Sequence, residues 1–261
     1  MSSRWWLDNA YYPYYAIAIF LVASAIALPS TILHAQFPNA TANSIWYGEL
    51  DAEIRVFRFV VKATLEDNGK WQGMLRSLDE GGALFPLSEF ELNDNGLAFR
   101  LKQTSASYQG QFQDTGKREQ DRIAGSWSQG GADLPLDFDR VDAVPIDSPT
   151  ETWIGELQAG PHKLIMQFRV YHSEDAVQRV FLDSISQRAG GFKAEMQSDG
   201  DTVTFEVKPV QGKFTGSRNT QNDEIIGKWN QGIDFDLTLR LAKEPLNPEI
   251  DPPKRPQNPV P

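Results

Sequence analysis

The chain has 261 residues, a formal net charge of −10 and no cysteine. This length allows one large domain or two small ones, and the acidic balance argues against nucleic-acid binding because an acidic surface repels phosphates. Without cysteine there are no disulfides, no thiol catalysis, no zinc–thiolate site and no lipidated cysteine.

The first predicted element is one apolar N-terminal helix, built on the uncharged segment from Ala16 to Leu28. Pro29 and Ser30 follow it, and Ala35 precedes Gln36, which is the pattern of a secretory signal over residues 1–35. An uncleaved membrane anchor is the alternative. Tryptophans and tyrosines cluster ahead of the segment, and the longer stretch from Tyr14 to Leu33 is about the length that spans a bilayer, so membrane contact would run through residues 5–33.

The charge distribution predicts on which side of the membrane the chain lies. Arg4 precedes the apolar segment, and no Lys or Arg follows it before Arg55. This asymmetry places the amino terminus in the cytoplasm whether or not the segment is cleaved. The rest of the chain is therefore predicted to be extracytoplasmic: periplasmic, lumenal or secreted. Residues 36–44 are predicted to be a short polar linker.

The remaining chain contains an internal repeat. The phrase Gly125-Ser126-Trp127-Ser128-Gln129-Gly130 returns as Gly227-Lys228-Trp229-Asn230-Gln231-Gly232. Trp46-Tyr47-Gly48-Glu49-Leu50 opens the first copy, and Trp153-Ile154-Gly155-Glu156-Leu157 opens the second. Repetition in the same order indicates two related domains, predicted at 45–142 and 152–243.

Alternating apolar residues within each copy predict β-strands. Phe57, Phe59 and Val61 recur at a period of two, as do Met166 and Phe168, which indicates half-buried strands. Asn-Gly and Asp-Gly pairs between the strands predict tight antiparallel hairpins. The predicted fold is all-β: two tandem antiparallel meanders of about seven to eight strands, each closed into a barrel or folded as a sandwich.

Proline marks the connecting segments. Residues 143–151 are predicted to be a short, stiff linker, because Pro145 and Pro149 lie within them. Residues 244–261 carry repeated prolines without a core-forming pattern, and they are predicted to form a disordered tail.

The sequence offers no catalytic residue and no cofactor site. Ser128 lacks the glycine two positions earlier that a nucleophile elbow requires. His162 and His172 occur only in the second copy, without a serine or cysteine motif, so an exposed or capping role is favoured. The predicted protein is not an enzyme.

Paired carboxylates make a calcium site or a glycosidase-like pair conceivable, at Asp137 and Asp139 and again at Asp234 and Asp236. The solvated face of a strand is the favoured interpretation, because the residue between the two carboxylates is a phenylalanine that points inward. Asp133 and its neighbours are not matched position for position in the second copy. No metal site is predicted.

The repeated phrase supplies the candidate ligand-binding residues Trp127, Gln129, Trp229 and Gln231. The tryptophans either pack the core, which is favoured, or line a ligand pocket. The glutamines either contact that ligand or tie a loop through hydrogen bonds to the backbone.

The order Trp-x-Gly-x-Leu, Leu-x-Ser, aromatic-x-Gly and Gly-x-Trp-x-Gln-Gly resembles the β-rich accessory region of some secreted bacterial serine hydrolases of the α/β-hydrolase type. The resemblance covers Trp46 to Arg140 and Trp153 to Leu241. The chain departs from that pattern, because a second copy and a proline-rich tail stand where the hydrolase domain would begin. The resemblance therefore implies a non-catalytic module, and no catalytic residue carries over.

These observations predict a non-catalytic extracytoplasmic protein that binds an envelope or membrane protein, with the tail and any anchor serving attachment. A lipocalin-like barrel that binds a small ligand is the alternative, and an accessory module of a hydrolase system is a second one. The interior volume of the barrels separates the first two, since a barrel filled by side chains leaves no room for a ligand.

Overall fold

The fold is described by a computed structural model that places residues 42–113, 122–145, 147–172, 178–219, 221 and 223–246. The predicted N-terminal helix with its signal or anchor role lies outside the described residues, as does the predicted tail from residue 247 onward. Strand β1 begins at Ala42, within the predicted 36–44 linker.

Seventeen β-strands run through the described residues: β1 Ala42–Ala52, β2 Arg55–Leu65, β3 Trp71–Ser77, β4 Ala83–Pro86, β5 Ser88–Asn93, β6 Gly96–Leu101, β7 Ala106–Gln113, β8 Arg122–Gln129, β9 Ala132–Val141, β10 Glu151–Ala159, β11 His162–His172, β12 Gln178–Ser184, β13 Ala189–Asp199, β14 Thr202–Val207, β15 Gly212–Asn219, β16 Glu224–Asn230 and β17 Asp234–Ala242. Three short 3₁₀ helices lie at Leu78–Glu80, Ile185–Gln187 and Lys208–Val210, and the described ranges contain no α-helix. The prediction of an all-β fold is confirmed for this part of the chain.

Alternation of apolar and polar side chains produces these strands. In β17, Leu237 and Leu239 are buried, Thr238 between them is partly exposed, and Asp236 and Arg240 on either side of them are exposed. Successive side chains of a strand point to opposite faces, so this pattern places one face on a core and the other toward solvent. The same alternation recurs in β6, β14 and β16.

Strands β10 to β17 form a closed barrel of eight strands. Each strand pairs with the next in antiparallel register, and β17 pairs back with β10, where Trp153 lies opposite Leu241. In the other half, ladders run from β1 through β2 and β3 to β4, and from β5 through β9 back to β1. Closure leaves few unpaired strand edges.

Each half packs its own hydrophobic core. The first core is centred on aromatic side chains, with the Phe59 and Trp127 rings stacked at a centroid distance of 5.1 Å. In the second, the Phe168 and Phe205 rings stack at 4.3 Å, and Trp229 lies 6.3 Å from Phe168. Interiors filled in this way are packed cores, since large aromatic rings occupy the space that strand closure encloses.

The two halves also contact each other through backbone. Phe192 of β13 pairs with Arg55 at the start of β2, and the Lys193 amide donates to the Ile54 carbonyl at 3.1 Å. The contact is close at Gly191, whose φ is +75°, because a Cβ there would overlap the Val56 carbonyl oxygen. Within the described ranges, no helix has the length and apolarity needed to cross a membrane.

Candidate functional site

Strands β2 and β11 are buried on both faces where the two halves meet. In β11 every residue from Met166 to Val170 is buried, including Gln167, which is 1% exposed, and Arg169, which is 3% exposed. From sequence, the alternation of apolar and polar residues in β2 and β11 predicted half-buried strands whose polar residues face solvent. The structure differs because the connector and the opposite half cover the outer faces of these strands.

Arg58 of β2 joins the first half to the connector. Its guanidinium donates to both carboxylate oxygens of Asp79, with Nη2 at 2.7 Å from Oδ1 and Nε at 3.0 Å from Oδ2. The Arg58 backbone amide also donates to Asp79 Oδ2 at 2.7 Å. Its third guanidinium nitrogen, Nη1, donates to Asp147 Oδ2 at 2.7 Å. Because Asp147 belongs to the connector, this bond ties the connector to β2.

Arg169 of β11 repeats the arrangement from the second half. Its Nε donates to Asp183 Oδ2 at 2.7 Å and its Nη2 to Asp183 Oδ1 at 3.0 Å, which is a bidentate pair. Its Nη1 donates to Asp147 Oδ2 at 2.6 Å, and Tyr171 donates its hydroxyl proton to Asp147 Oδ1. One connector carboxylate is therefore bound by an arginine from each half. We call Arg58, Asp79, Asp147, Arg169 and Asp183 the inter-half ion cluster.

The charges of this cluster stabilise one another against burial. Burial acts to raise the pKa of Asp147, but Arg169 and Arg58 outweigh it and hold that pKa below its usual value. Burial also acts to raise the pKa of Asp183, and Arg169 lowers it below the usual value. Burial disfavours the charge on Arg169 as well, yet Asp183 raises its pKa well above the ordinary range. Asp147, Arg169 and Asp183 therefore stay ionised at neutral pH.

Further contacts connect the cluster to the C-terminal end of the described chain. Gln167 donates its Nε2 proton to Asp183 Oδ2 at 2.9 Å, and its Oε1 accepts the Leu246 amide at 2.6 Å. The Gly191 amide donates to Asp183 Oδ1 at 2.8 Å. The segment after β17 thus returns to the outer face of β11.

A crevice of about 270 Å³ opens beside the cluster, between β1 and β2 of one half and β11 and β12 of the other. Tyr47 and Glu49 line one wall, and Tyr171, Arg179 and Phe181 line the opposite wall. Burial raises the pKa of the Tyr47 and Tyr171 hydroxyls. A crevice between packed units, with titratable groups whose pKa values are shifted, is a candidate binding site.

The structure places Trp127 and Trp229 in the two cores and leaves Gln129 and Gln231 partly exposed beside them, so none of the four sequence-predicted site residues lines this crevice. Trp127 and Trp229 are both 0% exposed. The Trp127 indole N–H donates to Gln129 Oε1 at 3.1 Å, and the Trp229 indole N–H donates to Gln231 Oε1 at 3.4 Å. Each pair lies at the end of the strand that leads into a hairpin, β8–β9 in the first half and β16–β17 in the second.

The two glutamines differ in what else they bind. Gln231 donates its Nε2 proton to the Val210 carbonyl at 2.6 Å, and its backbone amide donates to the Ile233 carbonyl at 3.1 Å. The turn beside Gln129 is built by Gly130 and Gly131, whose φ angles are +61° and +85°. These positive φ values favour glycine. Gln231 therefore ties its hairpin to a neighbouring loop.

The aspartates and histidines that the sequence offered as candidate chemical groups do not lie together with the tryptophans and glutamines. Asp137 and Asp139 pair with Arg122 at 2.8 and 3.1 Å on the surface of the first half. His162 and His172 are exposed at the two ends of β11. Among the described residues, no group of three His, Asp or Glu side chains is arranged to hold a metal ion.

The residues that meet at the crevice were not singled out by sequence reasoning. Arg58 and Arg169 were visible as polar residues between apolar ones, a pattern that a solvated strand face shares. Asp147 was visible only as one polar residue of the connector. One weak signal was present in the sequence. In Val56-Phe57-Arg58-Phe59-Val60 the residues on both faces of the strand are apolar except for Arg58, a pattern that indicates a strand buried on both faces.

Comparison with known proteins identifies no family. No model of a known protein family matches the sequence, and no curated protein matches it. Among solved structures, a candidate outer membrane protein from Bacteroides fragilis NCTC 9343 is 12% identical, with a TM-score of 0.29, over 78% of this chain and 97% of that chain.

Two further solved structures are similar at comparable levels. A protein of unknown function from Nostoc punctiforme PCC 73102 is 8% identical, with a TM-score of 0.22, over 80% of this chain and 96% of that chain. Kievitone hydratase from Nectria haematococca is 9% identical, with a TM-score of 0.22, over 77% of this chain and 87% of that chain. At these values none of the three carries an argument about this chain.

Proposed function

We propose that this chain is a non-catalytic protein of two tandem β-barrels, located outside the cytoplasmic membrane, that acts by binding another envelope or membrane protein. The observation that supports it best is the filling of both interiors. Trp127 and Trp229 are fully buried among aromatic side chains, one in each core. When side chains fill the interior of a barrel, binding takes place at its outer surface.

The ion cluster supports the same proposal, because it fixes how the two halves present their surfaces. Asp147 is bound from both halves by Arg58 and Arg169, at 2.7 and 2.6 Å. Side chains from β1 and β12 are thereby held on opposite sides of one crevice. A composite surface of this kind loses little conformational freedom when a partner binds, which favours affinity.

The experiment begins with the native full-length protein. Its mass and its distribution between membrane and soluble envelope fractions distinguish a cleaved, exported form from an anchored one. We then expect one envelope protein to co-purify in fixed stoichiometry and to bind again when the two purified proteins are mixed. A free, cleaved monomer that captures no partner would refute the protein-contact proposal.

The lipocalin-like alternative makes a different prediction for the same protein. A barrel with an open interior binds a neutral apolar probe such as the fluorescent dye N-phenyl-1-naphthylamine and shields it from water. We expect no saturable binding of this probe. Binding that quenches tryptophan fluorescence would instead favour the alternative, because both interiors contain tryptophans, Trp127 and Trp229 among them.

A further inference from the structure

The crevice between the halves has a charged floor and an aromatic rim. On the floor, Arg58 and Arg169 are each bound to two carboxylates within 2.7 Å, so they offer little to an incoming anion. The rim differs, because the side chain of Arg179 is 52% exposed and that of its partner Glu49 is 38% exposed. The rim is thus the part of the crevice that a solute can reach.

The Arg179 guanidinium lies over two aromatic rings. Its guanidinium carbon lies 5.2 Å from the centroid of the Phe181 ring and 5.9 Å from that of Tyr171. These distances are within the range of cation–π attraction, which orients the planar guanidinium before any ligand arrives. Preorganisation of this kind lowers the entropic cost of binding.

The contact of Arg179 with Glu49 shows that this guanidinium binds a carboxylate. Arg179 Nη2 donates to Glu49 Oε2 at 3.0 Å, and Glu49 Oε1 accepts the Tyr47 hydroxyl at 2.9 Å. Glu49 belongs to one half and Arg179 to the other, and both are exposed. An ion pair between exposed side chains is weak, so a carboxylate with additional contacts can displace it.

We propose that the crevice is a binding site for a small organic carboxylate with an aromatic or otherwise apolar body, in which the ligand carboxylate replaces Glu49 at Arg179. The ring of the ligand contacts Tyr47, Tyr171 and Phe181, and Val56 and Leu78 supply apolar surface further in. A volume of about 270 Å³ suits a ligand of one or two rings.

The net charge of −10 does not prevent this binding. Charges farther away than about 10 Å are largely screened at moderate salt, whereas the Arg179 guanidinium meets the ligand directly. Contact with a planar cation also selects a carboxylate over a neutral amide of the same shape, because the ionised acceptor makes the stronger hydrogen bonds.

The test uses the purified full-length chain with benzoate as the probe and benzamide as its neutral counterpart. Ligand-detected NMR and calorimetry should show saturable benzoate binding in the high micromolar to millimolar range, with benzamide at least several-fold weaker. Absence of saturation with benzoate, or equal binding of the two probes, would overturn the site.

Two substitutions of opposite expected effect make the test specific. Arg179→Gln should weaken benzoate binding about tenfold or more, because it removes a charge-assisted hydrogen bond. Glu49→Gln should tighten it about two- to fivefold, since the internal competitor loses its charge. Both side chains are exposed, and circular dichroism should show that both variants fold.

The matched control is Arg240→Gln, which removes another exposed arginine paired to a carboxylate, Glu224 at 2.8 Å. Benzoate should bind this variant as it binds the unaltered protein. Unchanged affinity in Arg179→Gln, or weaker binding in Glu49→Gln, would contradict the proposed displacement. This outcome is independent of the protein-contact proposal, which is tested by co-purification.

Discussion

Tyr108 and Phe214 occupy matched positions in the two cores but differ by one hydroxyl group. Tyr108 is 2% exposed, and its hydroxyl has no hydrogen-bond partner among the described residues. The oxygen lies against Gly110 and Gly125, where a Cβ on either residue would overlap it. The fully buried Phe214 fills the second core without this group. A buried hydroxyl without a partner costs about 1–3 kcal/mol.

We therefore expect Tyr108→Phe to raise the free energy of unfolding by about 1 kcal/mol, because it removes an unsatisfied polar group and keeps the ring. Urea denaturation followed by tryptophan fluorescence measures the change. The reciprocal variant, Phe214→Tyr, should lower the free energy of unfolding by a similar amount. If Tyr108→Phe destabilises the protein instead, the hydroxyl is hydrogen-bonded in solution.

Glu80 is a second side chain with a polar atom in a buried position, and here the surroundings oppose its charge. It ends the 3₁₀ helix Leu78–Glu80, and its Oε2 is buried without a hydrogen-bond partner among the described residues. Burial raises its pKa to about 7, against the opposing effect of Arg55. The folded protein therefore retains this proton at pH values where the unfolded chain has lost it.

The consequence is a stability that decreases as pH rises from about 4.5 to about 7, because the folded state binds more protons in this interval. Glu80→Gln should remove this slope and raise the free energy of unfolding at pH 8 by about 1–2 kcal/mol. At pH 4 the variant and the unaltered protein should be equally stable. A difference that persists at pH 4 would show that the effect is not the titration of Glu80.

At the scale of the elements, the barrel-closing hairpin β16–β17 depends on a glycine in the neighbouring strand. Gly212 opens β15, and a Cβ at this position would overlap the six-membered ring of Trp229. The indole can therefore lie across the strand only because the strand has no side chain there. Trp127 in the first half is likewise fully buried at the end of its hairpin.

We expect Gly212→Ala to lower the free energy of unfolding by about 2–3 kcal/mol and to shift the fluorescence of Trp229, because the indole must move out of its position. The control is Gly200→Ala, in a turn where φ is +57° and a Cβ meets no atom. It should cost about 1 kcal/mol from backbone strain alone. Equal losses in both variants would mean that the Trp229 contact contributes nothing.

The elements themselves were the part that could be predicted from sequence, because their causes are local. The alternation of Phe235, Leu237 and Leu239 and the glycines after Trp127 and Trp229 each determine a strand or a turn within a few residues. The Trp–Gln hydrogen bonds also join residues only two positions apart. The sequence favoured core packing for the two tryptophans over ligand contact, and the structure buries both of them in the cores.

The crevice could not be predicted, because its residues come from distant parts of the chain. Arg58 and Asp147 are 89 positions apart, and Arg179 and Glu49 are 130 apart. An arginine between two apolar residues looks the same in sequence whether its strand faces water or another half of the protein. The difference is that the connector and the second half cover the outer face of β2, through Asp147 and through the pairing of β2 with β13.

At the scale of the whole molecule, the connector carboxylate is the contact that both halves share. We expect Asp147→Asn to lower the free energy of unfolding at pH 7 by about 2–3 kcal/mol, because two partly desolvated arginines lose a common partner. Scanning calorimetry should also show a broader transition, as the halves unfold less cooperatively. The exposed pair of Glu195 and Lys208 offers the control Glu195→Gln, which should change stability by less than about 0.5 kcal/mol.

The pH dependence of this contact has the opposite sign to that of Glu80. The pKa of Asp147 is lowered in the folded protein, so its contribution is present above its unfolded pKa of about 3.9 and is lost as pH falls through the folded value. The gap between Asp147→Asn and the unaltered protein should therefore close on acidification. A gap that stays constant between pH 7 and the acid limit would exclude the ion cluster as its cause.

The burial of β2 and β11 on both faces has a consequence during synthesis of the chain. A ribosome that adds roughly 5 to 20 residues per second reaches Ala242, at the end of β17, about 5 to 20 seconds after Val141, at the end of β9, since about a hundred residues separate them. Throughout that interval the first half exposes Arg58 and the outward side chain of Val60, which the second half and the connector cover in the finished protein. The interface surface of the first half is thus exposed to solvent until the second half has been synthesised. Any delay in synthesis lengthens the period in which another chain can bind to that surface.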